Sequence, residues 1–396
     1  MESSNVDRRS LFRAGAATAG VGLASMMASP GPAAAASADA QDQGNTAKPR
    51  MVLGTQRRSP SEAALLEFKR HGVARVCGYP VDPPYDQKTG DRGYWLVSEV
   101  EQEKARIESQ GLVMDMVALP FLESSLIDTD FRPAIMMGKS PERDRDIEDI
   151  QRMIEACGRA GVGTIKYNMS ILGVMTTGEV PGRGGSKLRQ FRASDLDYNL
   201  PDTIAGKVDP DTYWERIDYF LERVVPVAEQ YKVRLACHPQ DPGTPPGGYR
   251  GVVENVLSVP GGKGLFRFLD LRSNRYHGLN LCCGTLAEML WNPKREIYPI
   301  VQKLAATKRV FNIHLRNIKG RRNDFVETWG DEGDIDHAEI INILADAGYD
   351  GAIDPDHVPP SDADPSKSQA YAQGYGYILG MIAAAEHRAA RRNPRE

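Results

Sequence analysis

The feature that most constrains the fold is an alternation of short apolar or β-branched runs with longer amphipathic stretches from residue 50 onward. Such runs are typical of buried parallel strands, and the stretches between them of helices that cover a sheet. The strand candidates lie at 50–54, 73–78, 113–119, 163–168, 233–238, 278–282, 309–315 and 351–355. Eight units in about 350 residues predict a (β/α)8 TIM barrel rather than a doubly wound sheet with an added domain.

Helical patterns follow most of the strand candidates. They lie at 97–110, 144–159, 212–230, 292–306, 337–347 and 369–390. Two segments interrupt the alternation: 170–210, which is rich in Gly and Arg, and 240–262, which is rich in Pro and Gly. Long loops on the catalytic face of a barrel often act as lids or specificity elements. A functional loop and a loosely ordered insertion both stay open on sequence alone.

The N-terminal 38 residues differ from the rest of the chain and resemble a twin-arginine export signal. Arg8 and Arg9 precede a weakly apolar, Ala/Gly-rich stretch, and the segment ends in small residues that suit signal-peptidase cleavage. The alternative is a low-complexity tail. We therefore expect residues 1–38 to direct export to the periplasm by the twin-arginine route. Residues 39–49 are expected to form a linker and 50–396 a single catalytic domain.

Charge and hydropathy narrow the class of partner. The formal net charge is -4 in 396 residues, and basic residues form no block outside the N-terminus. The sequence therefore shows no basic patch of the kind that binds nucleic acid. The body of the chain has no apolar run long enough to span a membrane. A small-molecule substrate is the better expectation, and the sequence leaves a homo-oligomer open.

Four residues of metal-ligating type follow one another at the carboxyl ends of the last four strand candidates. They are His238, Cys282, His314 and Asp356. Side chains at the carboxyl ends of parallel strands point into one crevice, so residues far apart in the chain can form one site. The set predicts a divalent metal centre. A thiolate and two imidazoles suit Zn2+ or Fe2+, while the carboxylate also admits Mn2+.

Several motifs around these residues carry a family resemblance. HPQDPG, GLNLCCGT, FNIHLRNIKG, DFVETWGDEGDID and DPDH resemble the strand-end motifs of D-mannonate dehydratases, a branch of the xylose-isomerase-like barrels. The similarity extends upstream to IEACGRAGVGTIKYNM and downstream to QGYGYILG, and so covers most of residues 50–385. The motifs are fairly specific together, above all HLRN with PDH.

The resemblance implies roles for particular residues. The family's metal ligands, usually of Mn2+, match His238, Cys282, His314 and Asp356. His357 and Tyr375 match its proposed acid/base pair. Asn168 and Arg316 match polar positions near the substrate. On residue type alone, His357 can also be a histidine that orients a metal ligand, and Tyr375 a structural tyrosine.

This chain departs from the family pattern at three positions in the substrate pocket. A second Asp after His-Pro is kept only as Gln240-Asp241. An Arg two residues beyond PDH is replaced by Pro359, and an Asp-Trp segment after YNxM has no counterpart. Metal chemistry is therefore better supported than the identity of the substrate.

These observations favour a hydro-lyase that converts D-mannonate or a related aldonate to 2-dehydro-3-deoxy-D-gluconate in sugar-acid catabolism. One alternative is a metal-dependent isomerase or epimerase on the same barrel, for which Glu327 is a candidate base without an evident partner. Another alternative is an exported sugar-acid-binding protein without catalysis.

Overall fold

The computed structural model describes residues 51–85 and 92–392. The expected signal segment 1–38 and linker 39–49 lie outside the described residues. The strands are β1 Val52–Thr55, β2 Arg75–Gly78, β3 Val113–Ala118, β4 Thr164–Asn168, β5 Gly178–Pro181, β6 Lys187–Arg192, β7 Arg234–His238, β8 His277–Cys282, β9 Val310–His314, β10 Asn317–Arg321, β11 Asp324–Thr328 and β12 Ala352–Asp354. The helices are α1 Glu62–Arg70, α2 Val97–Glu108, α3 Ala134–Met137, α4 Glu142–Arg159, α5 Pro210–Tyr231, α6 Lys263–Asp270, α7 Cys283–Glu288, α8 Pro293–Ala306, α9 His337–Asp346 and α10 Ser368–Arg392.

Eight parallel strands close into a barrel in the order β1-β12-β9-β8-β7-β4-β3-β2. Each of the eight predicted strands is a strand of this barrel, so the predicted TIM-barrel fold is confirmed. Strands β8 and β9 are buried along their whole length, because helices cover them outside and side chains fill the barrel within. Their polar side chains are therefore buried too, and Asn312 of β9 donates to Asn280 of β8 at 2.7 Å.

Helix α5 begins and ends where its sequence provides caps. Asp209 precedes the first turn, and its side chain accepts a hydrogen bond from the Thr212 amide at 2.7 Å; Lys232 follows the last turn in a left-handed conformation (φ 58°). Its Phe220 packs on Tyr167 of β4 with ring centroids 5.4 Å apart. The sequence pattern missed α1, α3, α6 and α7, which are too short to show a clear helical period.

The insertion 170–210 contributes two strands to a second sheet. Strands β5 and β6 pair with each other, and β6 pairs with β11 of the hairpin β10-β11, giving the antiparallel order β10-β11-β6-β5. Phe191 and Phe325 are register partners with ring centroids 5.5 Å apart. The interpretation of this segment as a loosely ordered loop is therefore wrong. The pairing joins residues more than a hundred positions apart, so no local pattern reveals it.

The segment 240–262 is held in place by hydrogen bonds to its backbone. Asn255 donates to the Pro242 carbonyl at 2.8 Å. Arg322 donates to the carbonyls of Ser258 (3.1 Å) and Thr244 (2.8 Å). This segment is therefore also an ordered wall of the barrel mouth.

Over the described ranges, none of the helices is long and apolar enough to cross a membrane.

Candidate metal centre and active site

The structure brings the four candidate ligands together at the carboxyl end of the barrel. Strands β7, β8 and β9 end in them, and the fourth follows β12. The four are His238, Cys282, His314 and Asp356. Their ligand atoms all lie within 4.8 Å of one another. The four strands are neighbours in the barrel, so the cluster occupies one half of its mouth.

Each histidine is oriented by a hydrogen bond on one ring nitrogen. His238 Nδ1 lies 2.6 Å from the Pro239 carbonyl, which can only accept, so this nitrogen carries the proton and Nε2 keeps its lone pair. His314 Nε2 lies 3.1 Å from Gln56 Oε1. The other nitrogen of His314, Nδ1, is buried without a hydrogen bond to any described residue and lies 3.2 Å from an Asp356 oxygen. One nitrogen on each ring is thus available to a cation.

Cys282 and Asp356 complete the donor set. The Cys282 sulfur accepts a hydrogen bond from the Thr285 amide at 3.4 Å and lies 3.9 Å from Asp356 Oδ2. Burial raises the pKa of this thiol well above its usual value, so its thiolate needs a cation beside it. Burial also opposes ionisation of Asp356, but the adjacent His314 and His357 outweigh it and hold the pKa of this carboxyl well below its ordinary range.

A second layer of polar side chains supports the ligands from inside the barrel. Asp354 accepts a hydrogen bond from the Asp356 amide at 2.7 Å, which helps to hold Asp356 in the left-handed region (φ 64°). Another Asp354 oxygen lies 3.3 Å from Asn312, which donates to Asn280 at 2.7 Å. Two imidazoles, a thiol and a carboxylate with an unsatisfied buried nitrogen fit a divalent metal ion with mixed N, S and O ligands.

Three further buried carboxylates lie near one another and enclose Arg316. Its guanidinium donates to Asp241 at 2.8 Å, Glu288 at 2.7 Å and Glu327 at 3.1 Å. Burial raises the pKa of Glu288 well above its usual value, whereas Arg316 helps hold the pKa of Asp241 low despite burial. Because the guanidinium already supplies the positive charge, we interpret these three carboxylates as ion-pair partners of Arg316 rather than as a second metal site.

His357 links the metal-ligand cluster to the Arg316 cluster. Its Nδ1 lies 3.1 Å from Glu327 Oε2, and its Nε2 lies 3.1 Å from Arg316 Nη1 and 3.6 Å from Asp356 Oδ2. The side chain is 32% exposed and lines a cavity of about 240 Å³ between the barrel and the second sheet. His357 is thus oriented by Glu327 and still accessible. The sequence suggested Glu327 as an isomerase base, but not this contact.

Tyr375 does not join the cluster through any contact among the described residues. Its hydroxyl shares a hydrogen bond with Thr55 at 2.7 Å, and its ring packs edge-on against Phe68 of α1. Burial raises the pKa of this phenol. This placement favours a structural role. The neighbouring Tyr371 comes closer to the cluster, since its hydroxyl donates to the Asp356 carbonyl at 3.2 Å.

The two residues expected near the substrate have different surroundings. Asn168 ends β4 beside His238 and lines a cavity of about 230 Å³, and within the described part of the chain its side-chain amide has no hydrogen-bond partner. Arg316 lines the cavity at His357, but its terminal nitrogens are engaged by protein side chains. Asn168 is therefore free to meet a ligand, and Arg316 acts on the site mainly through its neighbours.

The residues at which this chain departs from the family pattern also have different surroundings. Gln240 donates to the Met169 carbonyl and to Tyr213, so its side chain is structural, whereas Asp241 joins Arg316. Pro359 lines the cavity beside His357. The sequence did not single out Gln56 or Asp354, although both lie within two residues of a strand end.

Comparison with known proteins identifies the family. The D-mannonate dehydratase (UxuA) family profile matches residues 64–392. Mannonate dehydratase of Streptococcus pneumoniae (strain 70585) is 27% identical over 342 residues, which cover 78% of this chain and 87% of that protein. The enzyme of Thermotoga neapolitana is 28% identical over 324 residues, covering 72% and 82% of the two chains.

Solved structures show the same fold. The crystal structure of mannonate dehydratase from Streptococcus suis serotype 2 matches with a TM-score of 0.72 at 24% identity, covering 86% of this chain and 95% of that one. A xylose isomerase domain protein from Planctomyces limnophilus matches with a TM-score of 0.53 at 12% identity, covering 87% and 100%. With the family profile spanning most of the barrel, the chain belongs to the D-mannonate dehydratase family of hydro-lyases.

Proposed function

We propose that this chain is a metal-dependent dehydratase that converts D-mannonate, or a closely related aldonate, to 2-dehydro-3-deoxy-D-gluconate and water in sugar-acid catabolism. The observation that carries the proposal is the buried cluster of two histidines, a cysteine and an aspartate with His357 directly beside it. Family membership supports the reaction class.

The metal would be held by His238, Cys282, His314 and Asp356, and we propose Mn2+, with Fe2+ and Zn2+ as alternatives. Bound there, a divalent cation supplies Lewis acidity that stabilises negative charge next to the substrate carboxylate. Removal of the cation with a chelator should abolish turnover, and the metal content of the purified protein identifies the native ion.

His357 is the group that moves the proton. Glu327 accepts from Nδ1, so Nε2 carries the lone pair. In this structure that lone pair accepts a hydrogen bond from Arg316 Nη1 at 3.1 Å, and it takes the proton from the carbon next to the carboxylate when the substrate displaces this hydrogen bond. The C–H bond breaks, the C–O bond of the β-hydroxyl breaks, and the departing oxygen leaves as water when the same ring returns a proton to it. The enol that results tautomerises to the 2-keto acid, so atoms and charge balance.

An isomerase or epimerase would need carboxylates that are free to act as bases. Glu327 is instead bound to Arg316, Arg189 and His357 at 3.1 to 3.3 Å, which restrains it as a partner of these groups. This arrangement favours dehydration over isomerisation. The isomerase-like barrels share the fold, which is compatible with either chemistry.

A keto-acid assay tests the proposed function. The chain without residues 1–38 is reconstituted with Mn2+ under reducing conditions and given D-mannonate and other aldonates. We expect metal-dependent 2-keto-3-deoxy acid from D-mannonate or a near relative. An epimerised or isomerised sugar without keto acid would contradict the proposal, as would tight aldonate binding without any product, which fits the binding-protein alternative.

Export of the folded chain is part of the proposal. Arg8 and Arg9 with the following apolar stretch motivate it. In a bacterial host with a twin-arginine pathway, the full chain should be processed and recovered from the periplasm, and the double change Arg8→Lys, Arg9→Lys should keep it in the cytoplasm. Equal cytoplasmic retention of both forms would contradict export.

A further inference from the structure

The half of the barrel mouth opposite the metal-ligand cluster contains a separate cavity. The four candidate ligands follow β7, β8, β9 and β12, which leaves the ends of β1, β2, β3 and β4 for the substrate. A cavity of about 230 Å³ lies there, and its lining includes Gln56, Tyr79, Lys166 and Asn168. Gln56 connects the two halves, because its carbonyl oxygen lies 3.1 Å from His314 Nε2.

Lys166 is directed into this cavity by the alternation of β4. Tyr167 faces outward, where its ring packs on Phe220, so Lys166 and Asn168 on either side of it face the barrel interior. Lys166 is half-buried. Across residues 51–85 and 92–392, its ammonium has no hydrogen bond and no ion pair.

An ammonium that is partly withdrawn from water without a direct ion-pair partner is unfavourable. The described acid in the same cavity, Glu123, attracts Lys166 electrostatically, but it forms its ion pair with Arg58, at 2.8 Å, and not with Lys166. The buried cation on the other half, Arg316, is by contrast surrounded by carboxylates. The missing partner of Lys166 is therefore best supplied by a ligand that carries a negative charge.

We propose that Lys166 is a specificity-determining residue whose ammonium binds the carboxylate of the sugar-acid substrate, while Asn168 beside it contacts a hydroxyl. The inference rests on the proposed function, since that function makes the substrate an acid. It adds that the carboxylate lies on the β1–β4 half of the mouth. Lys166 thereby selects acids over neutral sugars of the same length.

A competing cation lies on the opposite side of the mouth. Lys367 lines the cavity beside His357, is half-buried, and also lacks a polar partner for its ammonium within the described ranges. The other basic side chains there are paired: Lys187 with Asp362 at 2.8 Å, Arg189 with Glu327 at 3.3 Å, and Arg316 with its three carboxylates. Lys367 is therefore the alternative anchor that an experiment must separate from Lys166.

The test measures binding of D-mannonate and of neutral D-mannitol to the metal-loaded protein by calorimetry at fixed ionic strength. The variants are Lys166→Met, Lys166→Arg and Lys367→Met, with Lys303→Met on the exposed face of α8 as a matched control. Metal content and the urea unfolding midpoint are checked for each. We expect Lys166→Met to weaken mannonate binding about 10- to 100-fold, the range for a lost charge-assisted hydrogen bond, and to leave mannitol binding unchanged.

Lys166→Arg keeps a cation and should retain most of the preference for mannonate. If Lys166→Met fails to fold, this variant still tests the inference. Equal mannonate affinity in Lys166→Met and wild type overturns the inference and leaves the dehydratase function standing. Loss in Lys367→Met instead moves the carboxylate to the other cavity and also overturns it. Binding that depends on Lys166 without keto-acid formation supports the inference and contradicts the proposed function. Absence of aldonate binding to the wild type contradicts both.

Discussion

On one half of the barrel mouth, the side chains that follow β7, β8, β9 and β12 converge on one another, whereas on the other half those that end β1 to β4 line a cavity. On the first half, the ligand atoms direct lone pairs to a common point. Asp354 orients Asp356, and Gln56 orients His314. The cavity half offers donors, Lys166 and Asn168, that have no described partner. The difference indicates a division of labour in which one half binds a cation and the other binds an anionic, hydroxylated ligand.

Replacement of a ligand should have the largest effect. We expect Cys282→Ser to lower metal affinity by more than about 100-fold, because loss of a residue that only hydrogen-bonds to a ligand already costs about 10- to 100-fold. Turnover should disappear with the metal. Metal content after dialysis and activity measure both effects. Cys283→Ser is the matched control, since Cys283 is the next residue and lies outside the ligand cluster. Full metal occupancy in Cys282→Ser would contradict the assignment.

Replacement of His357 should separate chemistry from metal binding. We expect His357→Asn to keep the metal and lower turnover by about 10² to 10⁴, the usual contribution of a general acid/base. Calorimetry with D-mannonate should show that binding is largely retained. A variant with near-normal turnover would show that His357 only orients Asp356, as a histidine beside a ligand can.

Replacement of Arg316 should affect stability. Arg316→Met leaves Asp241, Glu288 and Glu327 buried without their cation, so we expect the free energy of unfolding to fall by about 3 to 5 kcal/mol. The control is Arg192→Met, because the Arg192–Asp324 ion pair is exposed and should contribute less than about 1 kcal/mol. Urea unfolding measures both. Equal effects would show that the three carboxylates do not need Arg316.

The opposite end of β8 makes a smaller, pH-dependent contribution. Burial lowers the pKa of His277 to about 4, and its Nε2 donates to the Phe268 carbonyl at 2.8 Å. The unfolded state therefore binds more protons between about pH 6.5 and 4, so stability falls as pH falls through this window, by at most about 3 kcal/mol, and not further below it. His277→Gln should lose this part of the pH dependence in urea titrations. Parallel curves for both proteins would contradict it.

Tyr375→Phe should have the smallest effect. Loss of the hydrogen bond to Thr55 should lower the free energy of unfolding by about 1 kcal/mol, with little change in turnover. Tyr371→Phe is the matched variant, because the Tyr371 hydroxyl contacts the Asp356 backbone. A loss of turnover by about 100-fold in Tyr375→Phe would restore the acid/base role that the family resemblance implies for it.

The sequence predicted the barrel and the positions of the four candidate ligands because both depend on local patterns. The composition of a strand of five or six residues indicates that the strand is buried. In a barrel of this type, the residue at the carboxyl end of each strand lies on the catalytic face. The second sheet could not be predicted, since β6 is stabilised by β11 from a distant part of the chain. The Glu327–His357 contact and the missing partner of Lys166 depend on the same long-range assembly.

The central claim is that one divalent cation is bound by His238, Cys282, His314 and Asp356. X-ray absorption at the metal edge of the Zn2+-loaded protein tests it most directly. We expect a sulfur scatterer at about 2.3 Å together with nitrogen and oxygen scatterers near 2.0 to 2.2 Å, and loss of the sulfur contribution in Cys282→Ser. A shell of nitrogen and oxygen alone in the wild-type protein would contradict the claim.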